Sequence, residues 1–153
     1  MAPVLIDTLL LLALPASGKS EIRRYLESLP AEVLATDLHL GPTIQLDDYP
    51  YVHLMRRISQ ELRALEAPPV FFVSDELPMA EPRDWGVLQI LLNEDYATIG
   101  VGLGEEPASA SEWLFARIDH ARVAVGAPPA MSALAPEVRA NVAAELDDEV
   151  RPL

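Results

Sequence analysis

Apolar and polar residues alternate along this chain in patterns that predict most of its elements. Residues 4 to 14, Val-Leu-Ile-Asp-Thr-Leu-Leu-Leu-Leu-Ala-Leu, form an almost unbroken apolar run. Periodicity alone does not separate a buried strand from a buried helix there, but the turn residues Pro15, Ala16, Ser17 and Gly18 that follow favour a strand. From Lys19 to Leu29 the apolar positions Ile22, Tyr25, Leu26 and Leu29 fall three or four apart, which predicts an amphipathic helix ended by Pro30. Tyr51, Met55, Ile58, Leu62 and Leu65 repeat that spacing and predict a helix from Tyr51 to Leu65, with Arg56, Arg57, Gln60, Glu61 and Arg63 on its polar face.

Shorter apolar segments predict further strands. Ala31 to Thr36, with Val33, Leu34 and Ala35, reads as a short strand ending at Asp37. Val70-Phe71-Phe72-Val73, β-branched and aromatic, reads as a buried strand running into Ser74-Asp75-Glu76. Val101 and Leu103 between glycines suit a short strand or a loop. Trp85 to Tyr96 reads as a helix through Trp85, Leu88, Leu92 and Tyr96. Ser109 or Ser111 caps a helix to about Val125, with Trp113, Leu114, Ile118 and Ala121 inward, and Pro136 opens a last helix. No internal repeat stands out. Strands alternating with helices over 153 residues predict one α/β domain.

Composition narrows the chemistry. There is no cysteine, which excludes a disulfide scaffold and a thiolate metal site. Eleven basic against 24 acidic residues give a net charge of −13, which disfavours general nucleic-acid binding and anionic membranes. The apolar run near the amino terminus has no preceding basic residue and is too short to span a bilayer, so a soluble, cytoplasmic protein is expected. Arginine supplies every other basic residue, and the single lysine is Lys19, between Gly18 and Ser20.

That lysine completes Ala13-Leu14-Pro15-Ala16-Ser17-Gly18-Lys19-Ser20, which matches a phosphate-binding loop with alanine in place of the first glycine. Such a loop needs small residues so that backbone N–H groups turn inward around phosphate oxygens. The following helix adds its N-terminal partial charge, the lysine reaches the outer phosphates, and the serine hydroxyl takes a position on magnesium.

Residues 9 to 26 resemble the corresponding part of small P-loop kinases, most closely polynucleotide-kinase-like and zeta-toxin-like phosphotransferases. The resemblance implies a three-layer P-loop NTPase-like fold with a mostly parallel central sheet, either complete or, given how few strands are legible, incomplete. It implies ATP and Mg2+ as cofactors. It also implies an aspartate that deprotonates the acceptor hydroxyl: Asp37 holds the matching position, and Asp47 and Asp48 are rivals. Asp47 and Asp48 serve equally as caps for the helix near Tyr51. Asp75 matches the magnesium-side acid, with Glu76 beside it to position a water. Arg117 and Arg122 are candidates for the arginines of a mobile lid, and read more simply as exposed helix positions balancing Asp119 and Glu112.

The function so implied is a Mg-ATP-dependent kinase acting on a small hydroxyl-bearing acceptor, in a single nucleotide-binding domain over residues 1–153. The alternatives are a non-catalytic nucleotide-binding regulatory or interaction module, or the N-terminal part of a longer protein. His39, His53 and His120 show no metal-ligand spacing, and Gly100-Val-Gly-Leu-Gly lacks that of a dinucleotide fingerprint.

Overall fold

The structure, a computed structural model, describes residues 4–6, 9, 18–41, 46–99 and 107–151. Among them it forms six helices and no strand: α1 (Lys19–Ser28), α2 (Ala31–Asp37), α3 (Tyr49–Ala64), α4 (Asp84–Thr98), α5 (Ala110–Ala124) and α6 (Pro136–Val150). The chain divides into two compact units, Met1–Gln45 and Leu46–Leu153.

The helical periodicities hold, and the strands do not. A P-loop NTPase fold is built on a central sheet, and the described residues contain none. The three-layer α/β fold is therefore corrected to an all-α architecture. The kinship with small P-loop kinases, and the kinase, transferase and nucleotide-binding description drawn from it, are corrected with it.

Two local causes explain the strands that failed. Pro30, read as the end of α1, also opens α2: its fixed φ of −58° suits the start of a helix, and Leu34 N–H donates to Pro30 O at 3.1 Å. Ala31, Glu32, Leu34 and Ala35 are good helix formers, so the segment continues as helix to Asp37. The 70–73 segment has the composition of a strand, but its backbone groups are satisfied elsewhere. Phe71 and Phe72 N–H both donate to Ser59 Oγ, at 3.1 and 3.0 Å, and Phe71 O accepts from Ala80 N–H at 2.9 Å. Phe72 O accepts from Arg63 Nη1 at 3.0 Å, so no ladder partner is needed. The expected strands at residues 4–14 and around Val101 and Leu103 lie largely outside the described residues.

In the second unit α3 packs on α6, and α5 packs on both α4 and α6. The core is drawn from one stripe of each helix: Met55, Ile58 and Leu62 of α3, Val87 and Leu91 of α4, Leu114, Phe115 and Ile118 of α5, Val142 and Leu146 of α6. Phe71 and Met131, from the segments after α3 and α5, are fully buried among them.

Phe71 and Met131 also mark a repeat that composition hides. At one constant offset, Leu54, Arg57, Ile58, Ala64, Ala67, Pro68 and Pro69 recur as Leu114, Arg117, Ile118, Ala124, Ala127, Pro128 and Pro129. The backbone repeats with them. Leu65 and Val125 end their helices at φ −88°, ψ 10° and φ −88°, ψ 6°. Glu66 and Gly126 follow in the left-handed region at φ 56° and 77°. Ala67 N–H then closes on Leu62 O at 2.9 Å, and Ala127 N–H on Arg122 O at 2.8 Å. This is the paired C-terminal capping pattern, in which a left-handed residue turns the next N–H back onto the last turn. Glycine meets that demand without strain at 126, whereas Glu66 carries its Cβ into the same conformation.

Candidate functional site

The residues singled out from the sequence divide between the two units. Of the phosphate-binding loop, Ala13, Leu14, Pro15, Ala16 and Ser17 lie outside the described residues. Gly18 stands at φ 91° before α1, and its carbonyl accepts from Glu21 and Ile22 N–H at 3.0 and 3.1 Å. Lys19 and Ser20 begin α1, and Ser20 is exposed. Asp37 ends α2, exposed, with Thr36 Oγ1 donating to its carboxylate at 2.9 Å.

In the second unit, Asp47 Oδ1 accepts from Tyr49 N–H at 2.7 Å and Asp48 O from Val52 N–H at 3.0 Å. Both sit at the start of α3, where Asp47 caps through its side chain and Asp48 makes no side-chain capping bond. Asp75 is engaged by donors from α3: Arg63 Nη2 stands 2.9 Å and Gln60 Nε2 3.1 Å from its carboxylate, while Arg56 Nη1 donates to its carbonyl at 2.7 Å. The Arg63 and Gln60 hydrogen bonds hold its carboxyl below the ordinary aspartate value. Among the described residues no group of three or more His, Asp or Glu side chains is placed to share a metal ion.

Arg117 and Arg122 are both built into the helical unit. Arg117 donates to Glu94 at 2.8 Å, Asp95 at 2.7 Å and Tyr51 Oη at 3.1 Å, and its guanidinium lies 4.5 Å from the Trp113 ring centre. Tyr51 Oη donates in turn to Asp95 at 2.5 Å. Burial, helped by that bond, pushes the phenol above its ordinary value. This network joins α3, α4 and α5.

Arg122 is the more unusual. Its Nη1 donates to Asp84 Oδ2 at 2.8 Å and its Nε to Pro128 O at 2.9 Å, beneath the ring of Phe71. Asp84 is fully buried, and its Oδ1 has no hydrogen-bond partner among the described residues. Burial raises the Asp84 carboxyl above the ordinary aspartate value, with Arg122 pulling the other way.

Above this pair runs a groove of about 440 Å³. Its walls are the two equivalent turns: Ala67, Pro68, Pro69 and Val70 on one side, Pro129 and Ala130 on the other, continued by Ala133 to Ala135 and Val138 of α6. Arg122 is its one charged lining residue. Sequence reasoning missed both Asp84 and the groove. The signal was present as the twice-written Ala-Pro-Pro, each after a helix. A second concavity of about 350 Å³, lined by Pro50, His53, Leu54, Arg57 and Glu149, is crossed by the Arg57–Glu149 ion pair at 3.0 Å.

No protein-family model, curated protein or solved structure matches the chain. Among the described residues, no helix is long and apolar enough to cross a membrane.

Proposed function

We propose that this chain is an interaction module whose helical unit, residues 46–151, binds an apolar ligand in the groove between its two Ala-Pro-Pro turns. One observation carries the reading: two turns of the same backbone geometry wall an apolar cleft of about 440 Å³, in the size range of ligand sites, with a single buried cation in its lining. The prolines contribute rigidity, since their φ is fixed and the cleft loses little freedom when filled. Anchoring is strong on both sides, because Ser59 and Asp119 tie the residues after each turn to α3 and α5.

The test is an amide NMR titration of the whole chain with benzene as an apolar probe. Saturable shifts concentrated on Ala67, Val70, Ala130 and Ala133 to Ala135 are expected. Shifts scattered over the surface with the groove silent would overturn the reading. So would saturable Mg-ATP binding that Lys19→Ala abolishes while the groove amides stay unmoved.

A further inference from the structure

The two halves of the repeat differ most sharply at one buried position. Where the first copy has Leu62, fully buried in the core, the second has Arg122. The first copy demonstrates that this slot closes with a hydrocarbon. In the second copy the same slot brings a guanidinium, the buried Asp84 to balance it, and an unpartnered Asp84 Oδ1. An ion pair at such a site is costly to desolvate and is weak evidence for stability. Closing the helix end does not by itself call for the pair, since Leu62 closes the first one.

The guanidinium is not fully used. Nε and Nη1 are engaged, whereas Nη2 makes no hydrogen bond among the described residues and is not sealed from solvent. Arg122, itself only 6% exposed, thus lines an apolar groove with unspent N–H donors. A ligand without an acceptor leaves those donors unpaired when it fills the groove, so an apolar ligand that carries an acceptor binds more tightly than a bare hydrocarbon. A donor-only ligand has nothing to meet there.

A carboxylate would meet them, but it would add a second anion beside Asp84 with one guanidinium to balance both, in a chain already at −13. An uncharged acceptor suits the site best. An extended apolar peptide supplies one: in polyproline-like backbone the carbonyls have no internal partners and point outward, while the side chains pack on the walls.

Resting on the groove reading above, we infer that the groove binds an extended, uncharged, apolar segment of a partner protein, one of whose backbone carbonyls accepts a hydrogen bond from Arg122 Nη2.

The experiment uses the full chain and three probes: acetyl-Ala-Pro-Ala-Pro-Ala-amide, the same peptide with a free terminal carboxylate, and benzene. The amide peptide is expected to shift the groove amides saturably and to move the Arg122 Nε–H resonance downfield, the direction of hydrogen bonding at the guanidinium, whereas benzene against the same side chain gives only a ring-current shift. Asp84→Leu with Arg122→Met, which copies the Leu62 solution, is expected to weaken the amide peptide about tenfold more than it changes benzene, the factor for one hydrogen bond to a charged group.

If that double variant does not fold, the Arg122 Nε–H response in the wild type decides alone. Peptide binding with Arg122 unmoved, or unchanged in a folded double variant, would overturn the inference and leave the groove reading standing. Tighter binding of the carboxylate form would overturn the uncharged acceptor. Concentration-dependent self-association that the peptide reverses would replace the partner by a second copy. Silence of the groove towards benzene as well would overturn the underlying reading.

Discussion

Ser59 and Asp119 hold the same position in the two repeated segments and do the same work with different chemistry. Ser59 Oγ accepts from Phe71 and Phe72 N–H at 3.1 and 3.0 Å. The Asp119 carboxylate accepts from Ala130, Met131 and Ser132 N–H at 2.7, 2.8 and 2.7 Å. In each case a side chain on the helix seats the residue that plugs the core, Phe71 or Met131.

Replacing Ser59 by alanine leaves two buried N–H groups without an acceptor. A loss of about 2–3 kcal/mol in urea unfolding is expected. Hydrogen exchange at the Phe71 and Phe72 amides should accelerate more than at the α5 and α6 amides. Unchanged exchange at those two positions would show that Ser59 does not seat the segment.

Asp119 makes the second seat dependent on pH. Burial alone would raise its carboxyl, but the Ser132 side chain and the backbone N–H groups of Met131, Ser132 and Ala130 together hold it below the ordinary 3.8. A carboxyl depressed in the folded state stabilises fully above its unfolded value, and the contribution is lost as pH falls through the lower folded value. Stability should therefore decline below about pH 4, with a shallower decline in Asp119→Asn. Asp147, lowered by the Ser111 N–H, and Glu81, lowered to about 2 by Arg83, act in the same direction, so part of the slope persists.

The buried pair should respond asymmetrically. Arg122→Met strands the Asp84 carboxylate in the core and is expected to cost about 3–5 kcal/mol. Adding Asp84→Leu should restore most of that loss, since Leu62 closes the equivalent slot. Burial raises the Asp84 carboxyl, so the folded state binds its proton more strongly than the unfolded chain does. The penalty of Arg122→Met should accordingly shrink as pH falls. Denaturation of the single and double variants across pH checks both statements.

Gly86 marks where α4 meets the end of α5. A Cβ there would come within 2.9 Å of Val125 Cγ1, and valine is held to few rotamers. Overpacking of about 1–3 kcal/mol outweighs the roughly 1 kcal/mol that alanine gains over glycine in a helix. Gly86→Ala should lower the melting temperature, and Val125→Ala in the same chain should recover it. A higher melting temperature in Gly86→Ala alone would contradict this contact.

The helices were legible because their cores repeat every three or four residues: Met55, Ile58 and Leu62 announced α3, and Pro136 announced the start of α6. A serine cap at 109 or 111 was legible, and the structure places it at Ser109, whose Oγ accepts Glu112 N–H at 3.2 Å. The 70–73 segment was not, because strand composition records only that a stretch is apolar and branched, while Ser59 and Arg63 decide where its backbone bonds go. The repeat escaped for a related reason. Serine and aspartate, glutamate and glycine, phenylalanine and methionine fill equivalent positions, so the geometry is kept where the letters change, and the seven kept letters are scattered among them. The kinase resemblance rested on residues 9 to 26, a local pattern that carries no information about the sheet its family needs.

The most direct test of the binding groove is to fill it from within. Ala133 is exposed on the groove wall, so Ala133→Phe adds a ring there without entering the core. Benzene affinity, read from the Ala67, Val70 and Ala130 amides, is expected to fall below detection in the variant while its unfolding curve matches the wild type. Equal saturable shifts in both chains would mean that these turns frame a surface fold and not a binding site.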